Sequence, residues 1–154
     1  MKRRQFINHG TTVLGLAVSA GIIPAGAFAQ SAAGWNKTAF EAKSLADVVK
    51  ALGGASATAS NDIVLNAPEI AENGAVVRMS FESKMPGTTM LALLVEKNPA
   101  AMSASFDVPE GAIANFATNV KMGQTSNVYA LAKVGDKYFY AMKEVKVTLG
   151  GCGG

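Results

Sequence analysis

The spacing of apolar residues along this chain changes period near residue 60. Upstream, Leu45, Val48, Val49 and Leu52 fall at i, i+3, i+4 and i+7, one stripe of an amphipathic helix. Ser44 stands where an N-cap belongs, with Asp47 three residues on as the acid of a capping box. Gly53-Gly54 stops the helix. Gln30 to Lys37 reads as a loose leader carrying Trp35, and "GGASATASND" as a small-residue linker. From Asp62 onward the period is two. Ile63 and Leu65 share a face, and "AVVRMSFES" puts Val77, Met79 and Phe81 inward and Arg78, Ser80 and Glu82 outward. Between these runs, Asn73-Gly74 supplies a turn. "TTMLALLVEK" is apolar on both faces and predicts a central strand, turned by "NPAA". "MSASFDV", "IANFATNVKM" and "SNVYALAKV" are further strands, with "PEGA" and the region of Gly123 as turns. "VGDK" predicts a hairpin into "KYFYAMKEVKVTL".

That last strand changes phase. Tyr138, Tyr140 and Met142 stand at even positions, Val145, Val147 and Leu149 at odd ones. One extra residue near Lys143-Glu144, a β-bulge or a switch of sheet, would produce this. Short strands joined by regular turns predict a mainly β fold, an immunoglobulin-like antiparallel β-sandwich preceded by a short α-helix. No internal repeat is evident.

The first 29 residues change the charge argument. Lys2, Arg3 and Arg4 precede a modest apolar stretch from Thr11 to Ile23, and Ala27-Phe28-Ala29 is a small-x-small cleavage pattern. Arg3-Arg4-Gln5-Phe6-Ile7 looks like a twin-arginine export signal, so we expect cleavage after Ala29 and a periplasmic protein beginning at Gln30. The apolar stretch is broken by glycines and shorter than the roughly 20 residues of a membrane span, so no membrane attachment is expected of the mature form. The whole chain has 14 basic and 11 acidic residues. Removing Lys2, Arg3 and Arg4 leaves 11 of each, a neutral mature chain. The basic balance belongs to the signal and gives no support to nucleic-acid binding.

His9, the single histidine, also lies in the signal. The mature chain therefore has no histidine and one cysteine, which excludes a Ser-His-Asp or Cys-His arrangement within the chain and a Cys/His zinc site. A carboxylate-only site stays open. The six mature methionines fall mostly in strands, where core packing is expected rather than copper ligation, Met85 and Met122 being less clear. No metal and no cofactor is expected, and no catalytic constellation is in view. The expected organisation is a signal at 1–29, a sandwich domain with its N-terminal helix at 30–149, and a Gly-rich arm at 150–154.

The arm carries the chemistry. Cys152 is flanked by Gly150, Gly151, Gly153 and Gly154. Glycine has no Cβ and reaches nearly all of backbone space. At ~3.3–3.6 Å per residue, three steps from Leu149 put the sulfur roughly 10 Å clear of the domain. A thin arm with a nucleophilic tip could enter a narrow channel in another protein. Nothing near Cys152 in sequence activates it, and an ordinary thiol is only a few per cent thiolate at pH 7. The simplest reading is a covalent attachment point presented to enzymes that supply the activation. Other readings stand beside it: an unconstrained end on a plain binding module, an interchain disulfide, a periplasmic thiol redox protein, or a ubiquitin-like sulfur carrier loading on a terminal Gly-Gly carboxylate. Export argues against the last, which needs ATP, and a redox enzyme usually needs a resolving cysteine.

The tail "VKVTLGGCGG" (Val145 to Gly154) and the segment "IVLNAPEIAENGAVVRMSFES" (Ile63 to Ser83) resemble the SoxY family, the sulfur-carrier subunits of the periplasmic Sox thiosulfate-oxidation system. "EKNPAAMSASF" and "KVGDKYFYAMKEVKV" fit the same order, so the likeness spans essentially the whole mature chain. The resemblance implies a non-catalytic carrier that pairs with a second immunoglobulin-like subunit, SoxZ, and holds its sulfur cargo on Cys152. It implies that the haem enzyme SoxAX joins thiosulfate to that cysteine as an S-thiosulfonate. The dimanganese hydrolase SoxB would then release sulfate, and SoxCD, where present, would oxidise the remaining sulfane. Gly150, Gly151, Gly153 and Gly154 match the motif and would let the arm thread into each partner.

Overall fold

The computed structural model describes residues 36–148. Helix α1 spans Lys37–Glu41 and α2 spans Leu45–Ala51. The strands are β1 (Ala57–Ala59), β2 (Ile63–Asn66), β3 (Ile70–Ala71), β4 (Val77–Ser83), β5 (Thr88–Val95), β6 (Met102–Asp107), β7 (Asn115–Val120), β8 (Ser126–Val134) and β9 (Lys137–Val147). One sheet runs β1-β9-β8-β5-β6, with β3 also on β9, and a three-stranded sheet runs β2-β4-β7. The mainly β, two-sheet architecture with helix before it is the one the periodicity predicts. Pairing among the described strands is antiparallel except for β1 and β3, which both run parallel to β9.

The sheets enclose a core that includes Val77, Met79 and Phe81 of β4, Leu91 and Leu93 of β5, and Val128 and Val145, all buried. Phe106 and Phe116 stack at 4.5 Å between centroids and close one side of it. A second core lies on the other face of the larger sheet, where Val48 and Val49 of α2 pack on Met90, Ala92, Leu94, Leu131 and Tyr138. Burying each valine is worth about 1.5–3 kcal/mol. The continuous apolar run of β5 follows from this layering. Its odd positions face the sandwich core and its even positions face the helices.

Ser44 is the N-cap of α2, as predicted, and Asp47 meets its hydroxyl. Ser44 Oγ accepts from the Asp47 backbone N–H at 3.1 Å and donates to the Asp47 carboxylate at 2.7 Å. The leader is shorter than expected, because α1 begins at Lys37. Asn36 Oδ1 accepts from Ala39 N–H, and its amide donates to the carbonyl of Ala51, joining the two helices. At five residues, α1 is too short for a periodic signal. The small-residue linker also contains structure, since β1 zips onto β9 with Ala57 opposite Tyr138.

The phase change in β9 is not a bulge or a switch of sheet. β9 pairs with β8 without a register shift, from Val134↔Lys137 to Ser126↔Val145. Odd positions Phe139, Ala141, Val145 and Val147 face the sandwich core throughout, and even positions Tyr138 and Tyr140 face the helices. The helical layer ends there, so the next even residue, Met142, is 53% exposed. The pattern shifts because one face loses its cover. A bulge does occur at β6, where pairing with β5 skips between Leu93↔Ala104 and Leu94↔Met102. That skip lets Met102 face the helices while Phe106 faces the sandwich core, although both carry even numbers.

Candidate functional site

The predicted attachment residue Cys152 and the arm glycines Gly150, Gly151, Gly153 and Gly154 lie outside the described residues, as do Leu149, Arg3, Arg4 and the cleavage site at Ala29. What the structure defines is the root from which the tail departs. At the end of β9, Val145 is fully buried and Val147 packs against the same core. The backbone is then held on both sides. Lys146 N–H donates to the Glu69 carbonyl at 2.9 Å, Val147 N–H to Thr125 Oγ1 at 3.0 Å, and Thr148 N–H to the Ala71 carbonyl at 3.2 Å. The two-residue strand β3 supplies one side and the loop before β8 the other.

Gly74 is the tightest point of this root. A Cβ there would lie 2.3 Å from the Met122 carbonyl oxygen and 2.9 Å from Val147 Cγ1. The same close crossing allows Met122 N–H to donate to the Gly74 carbonyl at 2.7 Å. Asn73 Oδ1 accepts from Ala75 N–H at 3.0 Å and forms the predicted turn. The chain is thus fixed as far as Thr148, which gives the tail a stiff origin.

Among the described residues, no group of three or more His, Cys, Asp or Glu is placed to hold a metal ion. The pKa of Tyr129 lies above its ordinary value. Burial pushes its phenol up, the charge of Glu96 adds to this, and Asn127 opposes it. It stays protonated at neutral pH and supplies no base there. Of the methionines, Met79, Met90, Met102 and Met122 are buried and Met85 packs against the core, as gap-fillers would. Tyr138 is buried with its hydroxyl donating to the Leu52 carbonyl at 2.8 Å. Tyr129 and Tyr140 meet edge-on at 5.8 Å at the rim of the helix-side core, and exposed Met142 is the cross-strand partner of Tyr129. Sequence reasoning missed β3, Thr125 and the crossing at Gly74. The Asn73-Gly74 turn was the one signal that pointed at them.

The family described as "Sulfur oxidation protein SoxY" matches residues 49–152. Among solved structures, the sulfur carrier protein SoxY from Chlorobium limicola f thiosulfatophilum aligns at 34% identity with a TM-score of 0.60, covering 67% of this chain and 96% of that one. A chain from a structural study of the superantigen toxic shock syndrome toxin-1 aligns at 10% identity and TM-score 0.40, over 56% of this chain and 99% of that one. A lytic polysaccharide monooxygenase from Jonesia denitrificans aligns at 14% and 0.34, over 60% and 58%. These last two carry no argument. No curated protein sequence matches the chain.

Proposed function

The chain belongs to the SoxY family of sulfur oxidation proteins, and from that premise we propose that it is a non-catalytic carrier whose attachment point is Cys152. The observation that supports this most directly is the extent of the family match, which runs from α2 to Cys152 itself. Members of the family act in sulfur oxidation as carriers rather than catalysts. A firmly held root at the end of β9 suits that role.

The chemistry on the arm then balances as follows. The Cys152 thiolate and thiosulfate form a sulfur–sulfur bond and release two electrons to a haem partner of the SoxAX type. The product is a cysteine S-thiosulfonate, with one negative charge on its terminal sulfonate. Water, activated by a hydrolase of the SoxB type, attacks that sulfonate sulfur. The bond to the sulfane breaks, sulfate and two protons leave, and Cys152 keeps a persulfide anion. A sulfane dehydrogenase of the SoxCD type would take six electrons from that sulfane, with three waters supplying the oxygens and six protons leaving, and a second hydrolysis would release sulfate and restore the thiolate. SoxZ is the proposed stable partner, and the periplasm, reached through the Arg3-Arg4 signal, the proposed compartment. The glycines around Cys152 add no side chain that would collide with a channel wall.

Intact mass of the protein from cells oxidising thiosulfate, prepared without reductant, tests the proposal. Sulfonate-sized and sulfur-sized additions on the peptide containing Cys152, removed by a thiol reductant, are expected. A clean thiol, or a disulfide dimer alone, would refute it. Loading that persists in Cys152→Ser would point to a carboxylate carrier instead.

A further inference from the structure

On the outer face of the three-stranded sheet, beside β9, lies a groove of about 430 Å³ lined by Asn66, Ala67, Pro68, Arg78, Ser80 and Lys143, among others. Arg78 is the only arginine outside the Arg3-Arg4 pair. It is exposed and makes no ion pair with any described residue. Its cross-strand neighbour on β7 is the neutral Asn119. Lys143 approaches from the other sheet, half-buried, with its ammonium donating to the Ala67 carbonyl at 2.7 Å. An ammonium has three donors, so the other two remain for the groove. Asn66 Nδ2 donates to Ser80 Oγ at 3.3 Å, which uses a lone pair of that hydroxyl and leaves its proton to give.

No carboxylate lines the groove. The nearest acid on the same face of β4, Glu82, accepts from Asn115 at 3.2 Å. The described domain is neutral overall, with 11 basic and 11 acidic residues, so two cations facing a common space without an acid form a local excess of positive charge. A guanidinium fork, an ammonium and a hydroxyl are a donor set suited to a tetrahedral oxyanion.

We propose that this groove binds a sulfur oxyanion, either free thiosulfate or sulfate or the sulfonate end of the cargo. The sulfur identity rests on the carrier reading above; the anion preference rests on the groove alone. Lys143 precedes Thr148 by five residues, about 17 Å along a strand, and Pro68 leads into Glu69, whose carbonyl holds Lys146. The groove therefore sits on the flank that leads to the root of the tail. A cargo sulfonate held there would stay close to the root of the tail between visits to partner enzymes.

The test uses the mature Cys152→Ser chain, which cannot carry cargo, so its outcome does not depend on the carrier reading. ¹H–¹⁵N spectra are followed while thiosulfate or sulfate replaces chloride at constant ionic strength. Saturable shifts at Asn66, Arg78, Ser80 and Lys143 are expected, weakened about tenfold or more in Arg78→Gln, the loss of a charge-assisted pair. Lys143→Met serves as the second variant should Arg78→Gln not fold. A second arm separates the two sources. Wild-type protein is treated with tetrathionate; the thiolate takes up a thiosulfonate group and thiosulfate leaves. Groove shifts in that protein after removal of free anion assign the site to the cargo, and their absence beside a positive titration assigns it to free oxyanion. Shifts that never saturate, that chloride reproduces, or that Arg78→Gln leaves unchanged overturn the proposal. So does a groove silent to every oxyanion whose Arg78→Gln variant loses only affinity for a partner protein, since Arg78 would then be a protein contact.

Discussion

Replacing Gly74 by alanine tests the argument that the root of the tail is set by a close backbone crossing. The added methyl would sit 2.3 Å from the Met122 carbonyl oxygen and 2.9 Å from Val147 Cγ1. One obstacle is backbone and cannot swing aside, so the two loops must part. Overpacking of this kind costs about 1–3 kcal/mol. Losing the 2.7 Å hydrogen bond from Met122 N–H to the Gly74 carbonyl adds about 0.5–1.5 kcal/mol. A total of about 1.5–4.5 kcal/mol corresponds to a drop in Tm of roughly 6–18 °C for a domain near 110 residues. Gly123→Ala is the control, because a Cβ there meets nothing within 4 Å and its φ is not positive. It should be neutral, or stabilising by up to about 1 kcal/mol through the unfolded chain. Thermal melts of both variants, with hydrogen exchange at Lys146 and Thr148, report the outcome. Gly74→Ala should lose protection at those amides before the rest of β9. If it melts with Gly123→Ala, the crossing is not as close as described and the root is not fixed this way.

Cys152→Ser should abolish thiosulfate-dependent turnover in a reconstituted system while the fold and pairing with SoxZ persist; sustained turnover would remove the carrier proposal. Gly151→Leu or Gly153→Leu should slow loading by partner enzymes, measured as adduct mass against time, and two neutral variants would refute threading while leaving the carrier role. Val145→Ala should cost about 2 kcal/mol in chemical denaturation, from two buried carbons and the cavity left, whereas Met142→Ala should stay within about 0.5 kcal/mol. Equal effects would mean that the cover over β9 has been misread. Tyr138→Phe should cost about 1 kcal/mol by removing the donor to the Leu52 carbonyl, and an unchanged midpoint would show that this bond holds nothing.

The candidate site was only partly legible in sequence. The reading of the lone cysteine among glycines is a proposal made from the sequence alone, because it rests on what surrounds Cys152 along the chain. The root could not be read from the sequence, since Gly74, Met122 and Val147 meet through three separate segments. Nor could the groove, whose Arg78 and Lys143 come from different sheets. As an outward residue on β4, Arg78 looked like any solvated charge until the third dimension brought Lys143 beside it.

By itself the sequence determined what is local. The alternation of Val77, Met79 and Phe81 set the inner face of β4, Ser44 and Asp47 set the start of α2, and Gly135-Asp136 set the hairpin before β9, with Gly135 at φ 58°. These are contacts within a few residues, where side-chain period and backbone preference are decisive. Only the tertiary structure decided which faces have a cover. β5 and β8 lie between two cores because helices lie over one side of the sheet, and β9 seemed to slip phase because that cover ends after Tyr140. Three-residue β1 and two-residue β3 are strands only because β9 offers them an edge. Segments so short carry no period of their own, and their hydrogen bonds are supplied by a partner distant in sequence.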